Sequence, residues 1–171
     1  MSLKKRSQLI HSTPLSGGRE KPKSLSGDYI VGLTDGEGCF YVEVRAPNGT
    51  HNSRVEMHFF IKLREDEFSL LKKVQKFFKC GGIYLQKEYR VNQRNCYRFG
   101  VTAQKDLHEK IIPFFDKSPL QSEKLKNYLL FRKIALMVKN GEHKSIEGLR
   151  KIRQLKSQMN RGSLDAGKPL V

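Results

Sequence analysis

The sequence predicts an α+β domain in which helices cover one face of an antiparallel sheet. Four short segments alternate apolar and polar residues, which is the pattern of a strand with one buried face. These segments come in two close pairs, with segments of helical period before, between and after them. The element order is therefore α-β-β-α-β-β-α with extra C-terminal helices, and the second face of the sheet stays free.

The first helix and the first strand pair come from residues 24–62. Ser24 and Ser26 are possible N-caps for a short helix that carries Leu25, Tyr29, Ile30 and Leu33 and ends in the glycine-rich corner of residues 34–38. Residues 39–45 and 54–62 alternate in polarity, and a Pro-Asn-Gly turn signal lies between them. These two segments are the predicted first and second strands.

The remaining elements follow the same two periodicities. Residues 66–79 have apolar side chains at helical spacing, and residues 83–87 and 97–103 are predicted strands joined by a polar stretch. Three further helices are predicted at 105–115, 121–139 and 145–159.

No internal repeat is visible, so the sequence predicts one functional unit. We assign residues 24–160 to a single domain, residues 1–23 to a flexible basic arm and residues 161–171 to a flexible tail.

The net charge of the chain indicates which class of partner it binds. The 171 residues include 33 Lys plus Arg and 17 Asp plus Glu, a formal net charge of +16. Such a chain is attracted to polyanions, nucleic acid first and a membrane surface second, although a merely soluble basic protein is the alternative. No segment resembles a membrane span or signal peptide, and three cysteines without a CxxC pair favour a reducing, intracellular compartment. Cytoplasm, nucleoid and organelle are not distinguished.

The polar face of the predicted sheet carries residue types that read DNA. Arginine and lysine bind guanine or phosphate, amides pair with adenine, and carboxylates accept from cytosine. A seven-residue strand spans about 23 Å, so one chain would read about seven to ten base pairs. An ordinary solvated sheet face is the alternative. The candidate DNA-binding residues are Tyr41, Glu43, Arg45, Arg54, Glu56, His58, Tyr84, Gln86, Lys87, Arg94 and Arg98, with Asn92 and Gln93 nearby.

The corner Asp35-Gly36-Glu37-Gly38 places two carboxylates at the end of an apolar helix. The helix dipole disfavours negative charge at that end, so a compensating cation is expected. Carboxylate and carbonyl oxygens are the ligands that magnesium prefers. Because Asp-Gly and Glu-Gly pairs are also common in turns, the corner alone leaves a structural turn as the alternative.

Residues 29–40 as a whole resemble the LAGLIDADG signature of homing endonucleases. The resemblance extends over residues 25–160 in element order. It includes Phe59-Phe60-Ile61, Gly81-Gly82-Ile83, the segment Ile111-Ile112-Pro113-Phe114-Phe115, and Glu147-Gly148-Leu149.

This resemblance implies that the motif helices of two domains pack together and that the sheet is saddle-shaped. Tyr29, Ile30, Gly32 and Leu33 would then form a homodimer interface, because the chain carries one motif. The last acidic residue of the motif, Glu37, would bind the catalytic metal, where many members have Asp.

The resemblance also implies the rest of the catalytic centre. The Gly36 carbonyl would be a further metal ligand, and Asp35 would belong to the centre mainly as support for the corner. A basic residue near the scissile phosphate corresponds to Lys124, with Lys126 and Lys117 as alternatives. The implied cofactor is Mg²⁺, which Mn²⁺ or Ca²⁺ can replace in a crystal.

The sequence therefore favours a site-specific endonuclease that cuts double-stranded DNA as a homodimer. Two alternatives remain: an intron RNA maturase of the same fold, with its host intron RNA as partner, and a non-catalytic nucleic-acid-binding protein. Gly82-Ile83-Tyr84 and Asp165-Ala166-Gly167 imitate other nuclease motifs but lack the necessary context. The five histidines have no metal-ligand spacing, and without a phosphate-binding loop no small-molecule substrate is expected.

Overall fold

A computed structural model describes residues 22–45, 54–87, 89 and 94–159. Within these residues it confirms the predicted α+β class and the order of the elements. Short 3₁₀ turns precede α2 and α6, and a π-helical turn (Leu107–Ile111) joins α3 to α4. The elements are α1 (Gly27–Glu37), β1 (Gly38–Arg45), β2 (Arg54–Arg64), α2 (Phe68–Phe78), β3 (Gly82–Gln86), β4 (Cys96–Val101), α3 (Gln104–Asp106), α4 (Ile112–Lys117), α5 (Lys124–Lys139) and α6 (Ile146–Lys156).

The four strands form one antiparallel sheet in the order β1-β2-β4-β3. Val42 pairs with Met57 across the first two strands, and Ile61 pairs with Phe99 across the central two. Directly paired residues of antiparallel strands share a face. The period-two pattern therefore produces one apolar, buried face and one polar face, as predicted.

Aromatic side chains fill the space between the buried sheet face and the helices. Phe40 is 1% exposed, and its ring centroid lies 5.1–5.4 Å from those of Phe59, Phe115, Tyr128 and Phe131. These contacts join β1 and β2 to α4 and α5. The sheet and the C-terminal helices therefore share one core, which holds the ends of α1 and α5 in place.

The helical segment after β4 contains a proline and a local change of hydrogen bonding. The Ile112 amide donates to the Leu107 carbonyl, an i to i−5 bond that marks the π turn. Pro113 follows directly and has no N–H to donate. A proline in a helix leaves one carbonyl without its usual donor, and its ring crowds the preceding turn. The wider π turn accommodates both effects without ending the helix. The helix therefore continues to Lys117, beyond the predicted end at residue 115.

The two helices that meet at the acidic corner have different outcomes. The first helix ends within the glycine-rich corner, as predicted, with Glu37 as its last residue, and β1 begins at Gly38. The helix predicted from residue 121 begins at Lys124 instead. The segment before it hydrogen-bonds to the Asp35 carboxylate at the end of α1, as described below.

Several predictions concern residues outside the described ranges. These are the turn at 47–49, Asn92, Gln93, the tail at 161–171 and almost all of the arm at 1–23. Among the described residues, no helix combines the length and apolarity needed to cross a membrane. The three cysteines, Cys39, Cys80 and Cys96, are free.

Candidate functional site

The Asp35 carboxylate joins the end of α1 to the start of α5. It accepts hydrogen bonds from the backbone N–H of Gln121 at 2.8 Å and of Ser122 at 3.2 Å, and from the Ser122 hydroxyl at 2.6 Å. Burial would raise the pKa of Asp35, but these hydrogen bonds and the charge of Lys124 outweigh burial and hold it below its ordinary value. Asp35 is therefore ionised at neutral pH and fully engaged with protein groups.

Lys124 is the first residue of α5, and its ammonium group lies against the C-terminal end of α1. Its Nζ donates to the Thr34 carbonyl at 2.9 Å and to the Gly36 carbonyl at 3.3 Å. A cation in this position offsets the negative end of the helix dipole. The Thr34 carbonyl also accepts the Gly38 N–H, so Lys124 is its second donor. Burial lowers the pKa of Lys124 below its ordinary value, although neighbouring acidic groups act in the opposite direction.

Glu37 interacts with the charge of Lys124 but, unlike Asp35, accepts no hydrogen bond from the described residues. It is the last residue of α1, its side chain is exposed, and no hydrogen bond or ion pair to it is found within the described ranges. The adjacent Gly36 is also exposed, and its carbonyl has only the long contact with Lys124. An exposed carboxylate beside a carbonyl oxygen fits a hard divalent cation.

One copy of the described chain does not complete a metal site. Among residues 22–45, 54–87, 89 and 94–159, no group of three or more His, Cys, Asp or Glu side chains could hold a metal ion. Asp35 is committed to the start of α5. Glu37 and the Gly36 carbonyl are therefore the groups at this corner that can face a cation from one side.

The polar face of the sheet brings most of the predicted DNA-binding residues together. Tyr41 pairs with His58, Glu43 with Glu56, and Arg45 with Arg54, all between β1 and β2. On the same face, towards the edge formed by β3, Arg98 pairs with Lys62 and Tyr84, and Gln86 pairs with Cys96. Lys87 and Arg94 flank β3 and β4 and are exposed.

Ion pairs with arginines on this face offset the repulsion between two facing carboxylates. Glu43 and Glu56 lie directly opposite each other, an arrangement that alone is destabilising. Arg45 lies 3.5 Å from Glu43 and 3.2 Å from Glu56, and Arg54 lies 3.5 Å from Glu56. His58 completes the group at 3.9 Å from Glu56. Both arginines remain mostly exposed, so they stay available to an external anion.

Arg98 is held near the acidic corner by an aromatic ring that the sequence did not single out for this role. Its guanidinium carbon lies 4.3 Å from the centroid of the Phe60 ring, and its buried Nε has no hydrogen-bond partner. Cys39 pairs with Phe60 across the strands. Burial raises the pKa of Cys39, although the charges of Lys124 and Arg98 act against it, so the thiol is neutral.

The predicted interface residues do not all lie on one face of α1. Tyr29 is 47% exposed, and a Cβ built on Gly32 would meet no atom within 4 Å. Leu33 is partly buried against the core. Ile30 is 0% exposed and belongs to the core, so its predicted place at an intermolecular surface was wrong. In an eleven-residue helix that is apolar on most sides, periodicity does not separate the two faces.

The alternative lysines lie in other surroundings. Lys126 forms an ion pair with Glu123 at 2.6 Å, and Lys117 is exposed at the end of α4. Only Lys124, of these three, contacts the acidic corner among the described residues. Sequence reasoning did not identify Ser122 and Gln121, because nothing local in the sequence links them to a carboxylate 86 or 87 residues away.

Comparisons with known proteins agree on one family. Residues 30–135 match the family model of the LAGLIDADG endonucleases. A "probable intron-encoded endonuclease 2" from Neurospora crassa is 35% identical over 133 residues, which cover 78% of this chain but 27% of that protein. A "probable intron-encoded DNA endonuclease 1" from Mycosarcoma maydis is 32% identical over 64% of this chain and 38% of its own length. The chain thus spans well under half of these relatives.

Solved structures give the same result. A crystal structure of the homing endonuclease I-TnaI has a TM-score of 0.71 and 35% identity, covering 81% of this chain and 90% of that one. The LAGLIDADG homing endonuclease I-LtrWI, bound to target DNA, has a TM-score of 0.72 and 32% identity, covering 84% of this chain and 47% of that one. A calcium-containing structure of I-SmaMI with uncleaved DNA is 27% identical, with a TM-score of 0.71, over 80% of this chain and 45% of that one.

Proposed function

The chain belongs to the LAGLIDADG endonuclease family, and from this premise we propose that it cuts both strands of a specific DNA duplex as a homing endonuclease. The observation that carries this proposal is the acidic corner. Glu37 is exposed and makes no hydrogen bond or ion pair with the described residues, and the ammonium group of Lys124 is held at the same helix end. A purely structural turn would need neither feature.

Glu37 and the Gly36 carbonyl would hold a divalent cation, most simply Mg²⁺. When bound, this cation supplies a water of lowered pKa and stabilises the charge on the leaving oxygen of the cleaved phosphodiester. Glu37 orients the cation, and Asp35, engaged by Gln121 and Ser122, keeps the corner rigid. Lys124, whose ammonium group is held at the same corner, would offset the charge that develops on the scissile phosphate. The calcium present in the related I-SmaMI structure is compatible with such a ligand set.

A second copy of this domain would complete the centre. One chain contributes a single free carboxylate at the corner among its described residues, and two cuts need two such carboxylates. Tyr29 and Gly32 leave part of α1 exposed, with room for another helix against Gly32. We propose that α1 packs against α1 of a partner copy, which would bring both Glu37 side chains to the centre. A twofold pair of this kind would recognise a pseudo-palindromic target.

The polar sheet face would lie against the DNA. Arg45, Arg54 and Arg98 on this face present guanidinium groups suited to guanine or phosphate, and Gln86 can pair with adenine. The structures of I-LtrWI and I-SmaMI with bound DNA support a DNA partner for this fold. Relatives named as intron-encoded, including a Podospora anserina protein in an ND4 intron, support an organellar intron as the origin of the gene.

Assistance to RNA splicing is a second candidate function. It rests on the intron-encoded relatives and on the net charge of +16, which suits RNA as well as DNA. A maturase of this fold would bind its intron RNA whether or not it retains DNA cleavage.

A cleavage assay separates these functions. The full chain is incubated with Mg²⁺ and duplex DNA spanning its own intron insertion site, beside Glu37→Gln and the control Glu109→Gln, which changes an exposed residue of the π turn. We expect wild type and Glu109→Gln to cut both strands, and Glu37→Gln to bind the duplex without cutting it. Retention of the intact duplex by the wild type, together with binding of intron RNA, would exclude the endonuclease and favour the maturase.

A further inference from the structure

Ser122 makes hydrogen bonds in two directions at the candidate site. Its hydroxyl donates to the Asp35 carboxylate at 2.6 Å and accepts the backbone N–H of Lys124 at 3.2 Å. The same oxygen therefore contacts the acidic end of α1 and the first residue of α5. Ser122 itself is exposed and lies outside both helices.

The start of α5 depends on this contact because the helix has no cap of its own. Glu123 occupies the N-cap position and makes no side-chain capping hydrogen bond. The N-terminal end of a helix favours a negative charge and needs acceptors for its free N–H groups. Asp35 supplies the charge, and Ser122 supplies the acceptor for Lys124. Asp35, from α1, and Ser122, which lies two residues before α5, thus stabilise the start of α5 together.

The position of the Lys124 ammonium group follows from the same contacts. A lysine side chain has four flexible methylene groups, so its head group is placed accurately only when its backbone is fixed. Here the backbone N–H is bound to Ser122, and Nζ reaches the Thr34 and Gly36 carbonyls on either side of Asp35. Loss of the Ser122 hydroxyl would free both the start of α5 and its lysine.

We propose that Ser122 is a positioning residue, which together with Asp35 holds the Lys124 ammonium group beside Glu37 in the geometry needed for phosphodiester cleavage. The proposal rests on the endonuclease function proposed above. Ser122 does not touch the DNA or the metal in this scheme, and acts only through Asp35 and Lys124.

The test compares Ser122→Ala and Ser122→Thr with wild type in the full chain. The control is Ser145→Ala, which removes a hydroxyl that accepts the Gly148 N–H at 3.0 Å and caps α6. Single-turnover cleavage with excess enzyme and DNA affinity are measured for each. Hydrogen exchange of the Lys124 backbone amide is followed by NMR in the free protein.

We expect Ser122→Ala to cleave about 10- to 100-fold more slowly, the size of effect that a small misplacement of a catalytic group produces. Its DNA dissociation constant should stay within about threefold of wild type, since Ser122 lies off the polar sheet face. The Lys124 amide should exchange faster, because its hydrogen-bond acceptor, the Ser122 hydroxyl, is lost. Ser122→Thr should restore both the cleavage rate and the slow exchange, and Ser145→Ala should change neither.

Wild-type cleavage and unchanged exchange of the Lys124 amide in Ser122→Ala would overturn the proposal. Failure of the threonine variant to restore them, or equal damage from Ser145→Ala, would do so as well. If the wild type cleaves no duplex, the endonuclease proposal fails by itself. The exchange of the Lys124 amide, which needs no substrate, still decides whether Ser122 fixes the backbone that carries the lysine.

Discussion

Substitution of Gly38 tests whether the acidic corner depends on a close packing contact. Its backbone, with φ −79° and ψ 154°, suits any residue, so only space limits the side chain. A Cβ at Gly38 would lie 2.5 Å from Thr34 Cγ2, 2.8 Å from the Thr34 carbonyl oxygen and 2.9 Å from Thr34 Cα. Thr34 is 0% exposed, and its carbonyl also accepts the Lys124 ammonium group, so it has little freedom to move.

These contacts indicate how far Gly38→Ala would lower the free energy of unfolding. Overpacking of a well-packed site costs about 1–3 kcal/mol. Alanine also lowers the chain entropy of the unfolded state, which stabilises the folded protein by about 0.4–1 kcal/mol. We therefore expect Gly38→Ala to lower the free energy of unfolding by about 1–2 kcal/mol. The clash would displace Thr34, whose carbonyl binds Lys124, at the helix end that carries Glu37. We therefore expect the rate of cleavage to fall by more than the loss of stability accounts for.

Gly36→Ala is the matched control two residues away. Gly36 is exposed within α1, and a Cβ there would meet no atom within 4 Å. Because alanine is a better helix former than glycine, the free energy of unfolding of this variant should rise by about 0.5–1 kcal/mol. Urea denaturation at pH 7 measures both variants. An unfolding midpoint for Gly38→Ala equal to or above that of wild type would refute the steric reasoning.

Three further predictions address the exposed helix face, the core and pH. Gly32→Ala should stabilise the protomer by about 0.5–1 kcal/mol but weaken self-association in sedimentation experiments; stronger association would contradict the proposed α1 contact. Phe40→Ala should cost about 3–5 kcal/mol in urea denaturation, because four rings pack around Phe40; a loss below 1 kcal/mol would show that the core is not organised around it. The folded pKa of Asp35 lies below 3.8, so its stabilisation is complete above that value and disappears as pH falls through the folded pKa. The stability difference between wild type and Asp35→Asn should therefore shrink from pH 7 to pH 3, and a constant difference would contradict this.

The sheet could be predicted from sequence because its signal is local. Val42 and Met57 lie on a buried face and Glu43 and Glu56 on a polar one, as simple alternation requires. Antiparallel pairing then brings the polar residues of neighbouring strands together without further information. For this reason, the nine predicted DNA-binding residues within the strands share one face.

The corner was harder to predict because its geometry depends on a distant segment. The sequence places the end of the helix within residues 34–38, but it does not show what stabilises carboxylates there, where the helix dipole disfavours them. The stabilising groups come from a distant segment: Lys124 binds the carbonyls of Thr34 and Gly36, and Ser122 binds Asp35. Ile30 was misplaced for a related reason: α1 has apolar residues on most sides, and only the tertiary contacts identify its buried face.

The two carboxylates of the corner have opposite environments, and this difference connects the fold to the proposed chemistry. Both were expected to need a compensating cation at the end of a helix. For Asp35 the compensation comes from the protein itself, through the backbone N–H groups of Gln121 and Ser122, the Ser122 hydroxyl and Lys124. Glu37 is exposed and makes no hydrogen bond or ion pair among the described residues, although the charge of Lys124 acts on it. We therefore propose that Glu37, and not Asp35, binds a divalent cation, which an exposed carboxylate beside a basic sheet face could share with DNA phosphate.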